Sequence, residues 1–316
     1  MKTAMIATIP HSGTWMLRYF LVALNMLSRG EEPTAETVYA ATRAAQYDFS
    51  TGLGVASVAV DHNPLPGLAS SKLASIRGWD KLAESLGSLE YFRKERDNIY
   101  GKFSPLQGPA HRMVFVFRNP FDFAVTLARL RAHIIQQFGV GDKPPQIHPL
   151  IPTTPMPPPP EGADVVLHSL AHFREGRTFE AYLVHFLSYD MVRMNLGDRL
   201  KFVQYEQLIA DREKTLAEIV QFLFGAVDGG HIHHAAEFSS LDQMKAHEHA
   251  LGHSFAGPTT HHGRPETSHI TNWPQIDWRN VLGTDAMMYA KKLFADHLID
   301  WESAFPELGM PSSNRL

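Results

Sequence analysis

Short, continuous apolar runs at residues 4–9, 55–60, 112–117 and 200–204 alternate along this chain with longer stretches whose apolar residues recur at helical spacing. Those stretches fall at about 14–28, 34–46, 70–86, 120–136, 177–195 and 206–224. Strands that are apolar throughout must be covered on both faces, and strands separated by helices join in parallel. The pattern predicts an α/β chain with a mainly parallel central sheet. Segment 206–224 carries the period most clearly: Leu208, Leu216, Ile219, Val220 and Leu223 share one side, and Gly225 stands where a helix cap is expected.

Two stretches interrupt the alternation. Residues 143–162 hold nine of the 21 prolines, which excludes helix and central strand and predicts an extended surface loop. Residues 226–283 read as loop-rich, with nine histidines between His231 and His269, and suit a solvated lid. His249 and His253 have a metal-like spacing, but the H-E-x-x-H signature and a completing carboxylate are missing. No metal is expected. Strand and helix resume at 200–224 as if one sheet continued, so the expectation is a single domain over 1–316, with insertions at about 65–110, 141–162 and 226–275.

Bulk properties narrow the partners. A chain of 316 residues can bury a large core. Its net charge of −4 speaks against nucleic acid or a membrane surface as partner, so an anionic ligand must be met by a local site. The absence of cysteine excludes disulfides, thiolate zinc sites and cysteine nucleophiles, and it fits a reducing compartment. The apolar run from Met16 to Leu27 is interrupted by Arg18 and Asn25 and is too short to span a bilayer. No signal-peptide pattern precedes the first strand, and a cytoplasmic protein is expected.

A local anion site is written at the first strand-to-helix junction, "TIPHSGTW". Gly13 allows a sharp turn and close approach of a ligand. The amides of the first helical turn point outward, with the helix dipole favouring negative charge there, and the hydroxyls of Ser12 and Thr14 add donors. The triphosphate-binding form of this device is G-x-x-x-x-G-K-[ST]. Here the first glycine, the lysine and the spacing are absent.

The junction resembles the 5′-phosphosulfate loop of the cytosolic-type sulfotransferases, whose usual form is T-Y-P-K-S-G-T-[TS]-W. Three further stretches follow in that family's order. "MVFVFRNPFDFAVTLAR" is similar to the strand and R-N-P-x-D-x-x-x-S segment that binds the donor's 3′-phosphate, with Arg118 and Thr126 on the arginine and serine positions. "KFVQYEQLIADREKTLAEIVQFLFG" is similar to the strand, Y-E-D-L and helix that follow, with Tyr205 on the tyrosine that lies against adenine in relatives. "FSSLDQMK" is similar to T-S-F-x-x-M-K, with Ser239 and Leu241 near the adenine.

The resemblance implies a three-layer α/β/α fold of the P-loop-NTPase-like kind, with 3′-phosphoadenosine-5′-phosphosulfate (PAPS) as donor, PAP as its product, and no metal. His11, Ser12, Gly13, Thr14 and Trp15 would hold its phosphosulfate end. His62, in "VAVDHNPLPGL", falls on the family's catalytic histidine and would take the acceptor's proton, a task suited to imidazole. Asp61 replaces the usual Ser or Thr beside it.

Two departures stand out. His11 replaces the loop lysine that stabilises charge on the leaving oxygen, and it does so best when protonated. The C-terminal R-K-G-x-x-G-D-W-[KR]-N segment keeps only its end, as Asp277 to Asn280 in "ITNWPQIDWRN". Gly263 and Arg264 of "HHGR" would supply the missing closure.

The acceptor implied is a small molecule carrying a hydroxyl or amine, and the unusual loop with His11 leans toward a microbial natural product. Phe20, Tyr47, Phe49, Tyr91 and Phe92 are candidates for its pocket or for core. A P-loop small-molecule kinase and a catalytically inactive nucleotide-binding homologue remain as alternatives. A homodimer stays open.

Overall fold

A computed structural model describes residues 3–9, 12–42, 47–61, 111–138, 157–174, 177–252 and 276–296. Five strands form one sheet: β1 (Thr3–Thr8), β2 (Tyr47–Phe49), β3 (Val55–Asp61), β4 (His111–Phe117) and β5 (Leu200–Gln204). Their order is β2-β3-β1-β4-β5. All neighbours are parallel except β2, which pairs antiparallel with β3 through Tyr47↔Val58 and Phe49↔Val55. Helices flank this sheet, as the strand and helix alternation predicts.

The described chain forms two compact units. The first contains the sheet with α1 (Thr14–Ser28), α2 (Ala35–Thr42), α6 (Tyr205–Ala210), α7 (Arg212–Phe224), α8 (Gly229–Phe238) and α9 (Leu241–Leu251). The second contains α3 (Pro120–Phe138), α4 (Val165–Ala171), most of α5 (Thr178–Leu196), a 3-10 turn at Trp278–Asn280 and α10 (Thr284–Asp296).

Burial explains the first unit's sequence. Met5, Ile6 and Ala7 of β1 are at most 2% exposed, which is why this central strand tolerates no polar alternation. Helix α1 buries an unbroken run from Tyr19 to Leu27, and a helix apolar on nearly every side belongs inside a core. Phe20, Tyr47 and Phe49 join that core; Tyr91 and Phe92 lie outside the described residues. Asn25 is the polar amide within that buried run. It is 4% exposed, and its Oδ1 has no hydrogen-bond partner among the described residues.

The histidine-rich stretch corrects the sequence reading. Residues 229–251 are two helices and not loop. Asp228 caps α8 through the amides of Gly230 and His231, and Ser240 caps α9 through Gln243. Ile232, Ala235 and Ala236 are buried in the same core as α1. The segment read as one helix over 206–224 is likewise two, broken at Asp211 (φ −139, ψ 70). Gly225 caps α7 with φ 89, as expected. The helix expected at 70–86 and the proline-rich residues 143–156 lie outside the described residues.

The second unit has its own aromatic core. Phe121 meets Phe179 edge-on at 6.0 Å and Trp278 at 4.6 Å, while Phe123 meets Tyr182 at 5.4 Å. Its buried polar groups engage one another. Arg131 Nη1 donates to Thr178 Oγ1 at 3.1 Å, and the Tyr289 hydroxyl donates to Glu180 Oε1 at 2.5 Å. Among the described residues, no helix is long and apolar enough to cross a membrane.

Gly52, before β3, offers a direct stability test. A Cβ there would run into Asn25 Oδ1 and stand 2.8 Å from the Asn25 carbonyl oxygen. Backbone cannot step aside as a flexible side chain does. Gly52→Ala should cost about 1–3 kcal/mol by overpacking, read as a lower midpoint in urea unfolding. An unchanged midpoint would mean that α1 and this turn are not in contact.

Candidate functional site

The strand order creates the site. From β1 the chain moves to β3 on one side; from β4 it moves to β5 on the other. Neighbouring β1 and β4 therefore send their connections in opposite directions, which makes their carboxyl ends the switch point of the sheet, the place where α/β sheets bind ligands. Residues 12–15 follow β1 and Arg118 follows β4. The ladder continues past β1 as Ile9 N–H donates to the Val116 carbonyl at 2.9 Å, which holds the two strand ends side by side.

The loop is arranged to present donors. Gly13 is the N-cap of α1, left-handed at φ 81, and among the described residues no side-chain cap bond closes that helix start. The first-turn amides of a helix have no intrahelical acceptor. Ser12 is fully buried, and its Oγ has no hydrogen-bond partner among the described residues. Thr14 Oγ1 is tied to Thr8 Oγ1 at 2.6 Å, which fastens the helix start to the strand end. Trp15 is half-buried beneath the Arg18 guanidinium, 5.1 Å from the ring centroid. Arg18 in turn donates to the Val60 carbonyl of β3 at 2.9 Å.

Arg118 and Tyr205 arrive together because β4 and β5 pair Phe117 with Gln204. The Arg118 guanidinium lies 5.1 Å from the Tyr205 ring centroid. The same ring closes on the loop: a Cβ on Gly13 would stand 3.0 Å from Tyr205 Cε2. Burial holds the Tyr205 phenol above its ordinary pKa, Arg118 works against that shift and Glu206 adds to it, so the hydroxyl is neutral at physiological pH. Glu206 Oε1 stands 4.0 Å from Arg118 Nε.

Other candidate residues have settled partners. Ser239 is fully buried and donates to the Ala236 carbonyl at 3.2 Å. Leu241 opens α9 and is 53% exposed. Thr126, in the second unit, donates to the Asp122 carbonyl at 2.9 Å. A hydroxyl has one proton, so binding phosphate as a donor would require it to leave that carbonyl. His11, His62, Gly263 and Arg264 lie outside the described residues. Among the described residues no group of three or more His, Asp or Glu is placed to hold a metal ion.

Of the residues the sequence named, the first unit brings Ser12, Gly13, Thr14, Arg118 and Tyr205 to one end of its sheet. Sequence reasoning missed Glu206 and the contact between Tyr205 and Gly13. The adjacency of Glu206 to Tyr205 was the available signal.

The donor set fits a doubly anionic ligand. Uncapped amides and a buried hydroxyl suit one phosphate or sulfate group, and a guanidinium held over a ring suits another.

The family model described as "Sulfotransferase domain" matches residues 2–302. No curated protein matches the chain. Among solved structures, a mouse sulfotransferase complexed with PAP is similar at TM-score 0.50 and 16% identity, over 97% of this chain and 88% of that one. A retinol dehydratase in complex with androsterone and inactive cofactor PAP is similar at TM-score 0.45 and 14% identity, over 95% and 82%. A sulfotransferase domain from the curacin biosynthetic pathway is similar at 0.38 and 13%, over 92% and 97%. At that identity the mouse structure speaks for the fold alone.

Gly13 is the most exposed point of this geometry to mutation. Gly13→Ala must adopt a left-handed backbone, at about 1–2 kcal/mol, and must displace the Tyr205 ring. The expected outcome is a lower melting temperature and at least about a tenfold loss of affinity for adenosine bisphosphate by calorimetry, tenfold being about 1.4 kcal/mol. Unchanged affinity would separate the loop from the ligand site.

Proposed function

Because the chain belongs to the sulfotransferase domain family, we propose that it transfers the sulfuryl group of PAPS to a hydroxyl or amine of a small molecule. The observation that carries the reading is the meeting of the Gly13 loop and Arg118 at one end of the sheet, with the Tyr205 ring beside both. Two anion-binding groups around one aromatic ring suit a nucleotide phosphorylated at both the 3′ and 5′ positions. The neighbours crystallised with PAP are consistent with it.

The bound donor supplies the activated sulfuryl group. Ser12 and the amides at Gly13, Thr14 and Trp15 would hold its 5′ end, and Arg118 would hold the 3′-phosphate. His62 accepts the proton of the attacking hydroxyl or amine. His11 offers an N–H to the oxygen that bridges phosphorus and sulfur, where charge grows as the bond to sulfur breaks. Transfer of this kind needs alignment and charge stabilisation. A natural-product acceptor in the cytoplasm is the substrate class we favour.

Thermal shift is the first test. Adenosine 3′,5′-bisphosphate should stabilise the protein and ATP with magnesium should not; the reverse result would favour a kinase. Arg118→Ala should lower bisphosphate affinity by about a hundredfold, the worth of two charge-assisted hydrogen bonds, with a much smaller effect on 5′-AMP. In single-turnover assays His11→Ala should slow sulfuryl transfer and His11→Lys should restore part of the rate. An unchanged rate in His11→Ala removes that residue from the chemistry. Binding without turnover across an acceptor panel would make the chain a nucleotide binder.

A further inference from the structure

The turn from β5 into α6 sets two different groups against Arg118. The Tyr205 ring lies under the guanidinium at 5.1 Å, and Glu206 Oε1 stands 4.0 Å from Nε. The ring acts by shape. It is wedged against Gly13, so the guanidinium above it rests on a support that is itself held in place. The carboxylate is beyond hydrogen-bond reach and acts by charge. The Arg118 and Glu206 side chains are 20% and 31% exposed, so water screens that charge only in part.

We propose that Glu206 is the counter-charge that limits how tightly the Arg118 subsite holds a 3′-phosphate, an inference that rests on the donor reading above. A 3′-phosphate dianion drawn to Arg118 meets the field of this carboxylate as well. Removing the charge leaves the guanidinium oriented by Tyr205 and strengthens its pull. The loop amides that hold the 5′ end do not share Arg118 and are little affected. Glu206 thus weakens one end of the nucleotide selectively, which favours release of the spent bisphosphate after transfer.

Calorimetry of the full chain with adenosine 3′,5′-bisphosphate and with 5′-AMP tests this. Wild type should prefer the bisphosphate. Glu206→Gln keeps the shape and removes the charge; it should tighten the bisphosphate about tenfold and leave 5′-AMP unchanged. Glu206→Asp draws the charge back by one methylene and should tighten it about two- to threefold. This second variant gives an independent reading if the first fails to fold. Bisphosphate affinity that is unchanged or weaker in a folded variant overturns the proposal and leaves the donor reading in place. A wild type indifferent to the 3′-phosphate overturns both.

Discussion

The Tyr205 ring occupies the space that a side chain on Gly13 would fill, and the ligand end of the sheet is organised around that constraint. Gly13 meets it twice, by lacking a Cβ and by accepting φ 81. The same ring supports the guanidinium of Arg118. Residues far apart in sequence become neighbours because three parallel strands, β1, β4 and β5, end side by side in fixed register. A shift of one residue in either pairing would turn alternate side chains to the opposite face and separate the loop, the ring and the cation. Sheet register and ligand geometry are therefore one constraint.

Rigidity beneath the loop comes from burial of α1. Its core run leaves no direction in which the helix can slide without exposing apolar surface. Two polar ties then fix its first turns, Thr14 to the end of β1 and Arg18 to the end of β3. The Arg18 tie has a clear origin: among the described residues β2 pairs with β3 through Val55 and Val58, and the Val60 carbonyl, past the last of these pairs, takes a side-chain donor. Donors held in place before a ligand arrives need no reorganisation as charge develops. In the second unit the corresponding polar pairs, Arg131 with Thr178 and Glu180 with Tyr289, are each joined by one hydrogen bond.

How much of this the sequence disclosed depended on the range of the interaction. Strands β1, β3, β4 and β5 were legible because continuous apolar runs report burial on both faces. Strand β2 was not, since three residues are too few to show a period. Segment 206–224 looked continuous because Leu208 and Leu216 are both buried, while the break at Asp211 is a backbone event that leaves the stripe intact. Residues 229–251 were obscured by their histidines and paired glycines, although Asp228, Ser240 and the Ile232, Ala235, Ala236 spacing are ordinary helix signals. At the site, Gly13 and Arg118 were visible as local motifs. The contact of Tyr205 with Gly13 was not, because it exists only once strands from three parts of the chain have paired.

The distribution of charge follows from the same economy. A chain with net charge −4 does not draw a polyanion by its overall field. Attraction must come from short-range, directional donors: helix-start amides, a buried hydroxyl and one oriented guanidinium. Such donors act over a few ångströms and so discriminate by geometry. They also explain why a carboxylate can stand 4.0 Å from the key cation without abolishing the site. In the proposed site the two ends of the ligand would be held by different chemistry, main-chain dipoles at one and a full charge at the other, and only the second would be sensitive to a neighbouring charge. A transferase must let its product go as readily as it takes its donor, and a site whose grip can be moderated at one end alone meets that requirement without disturbing the end where the bond breaks.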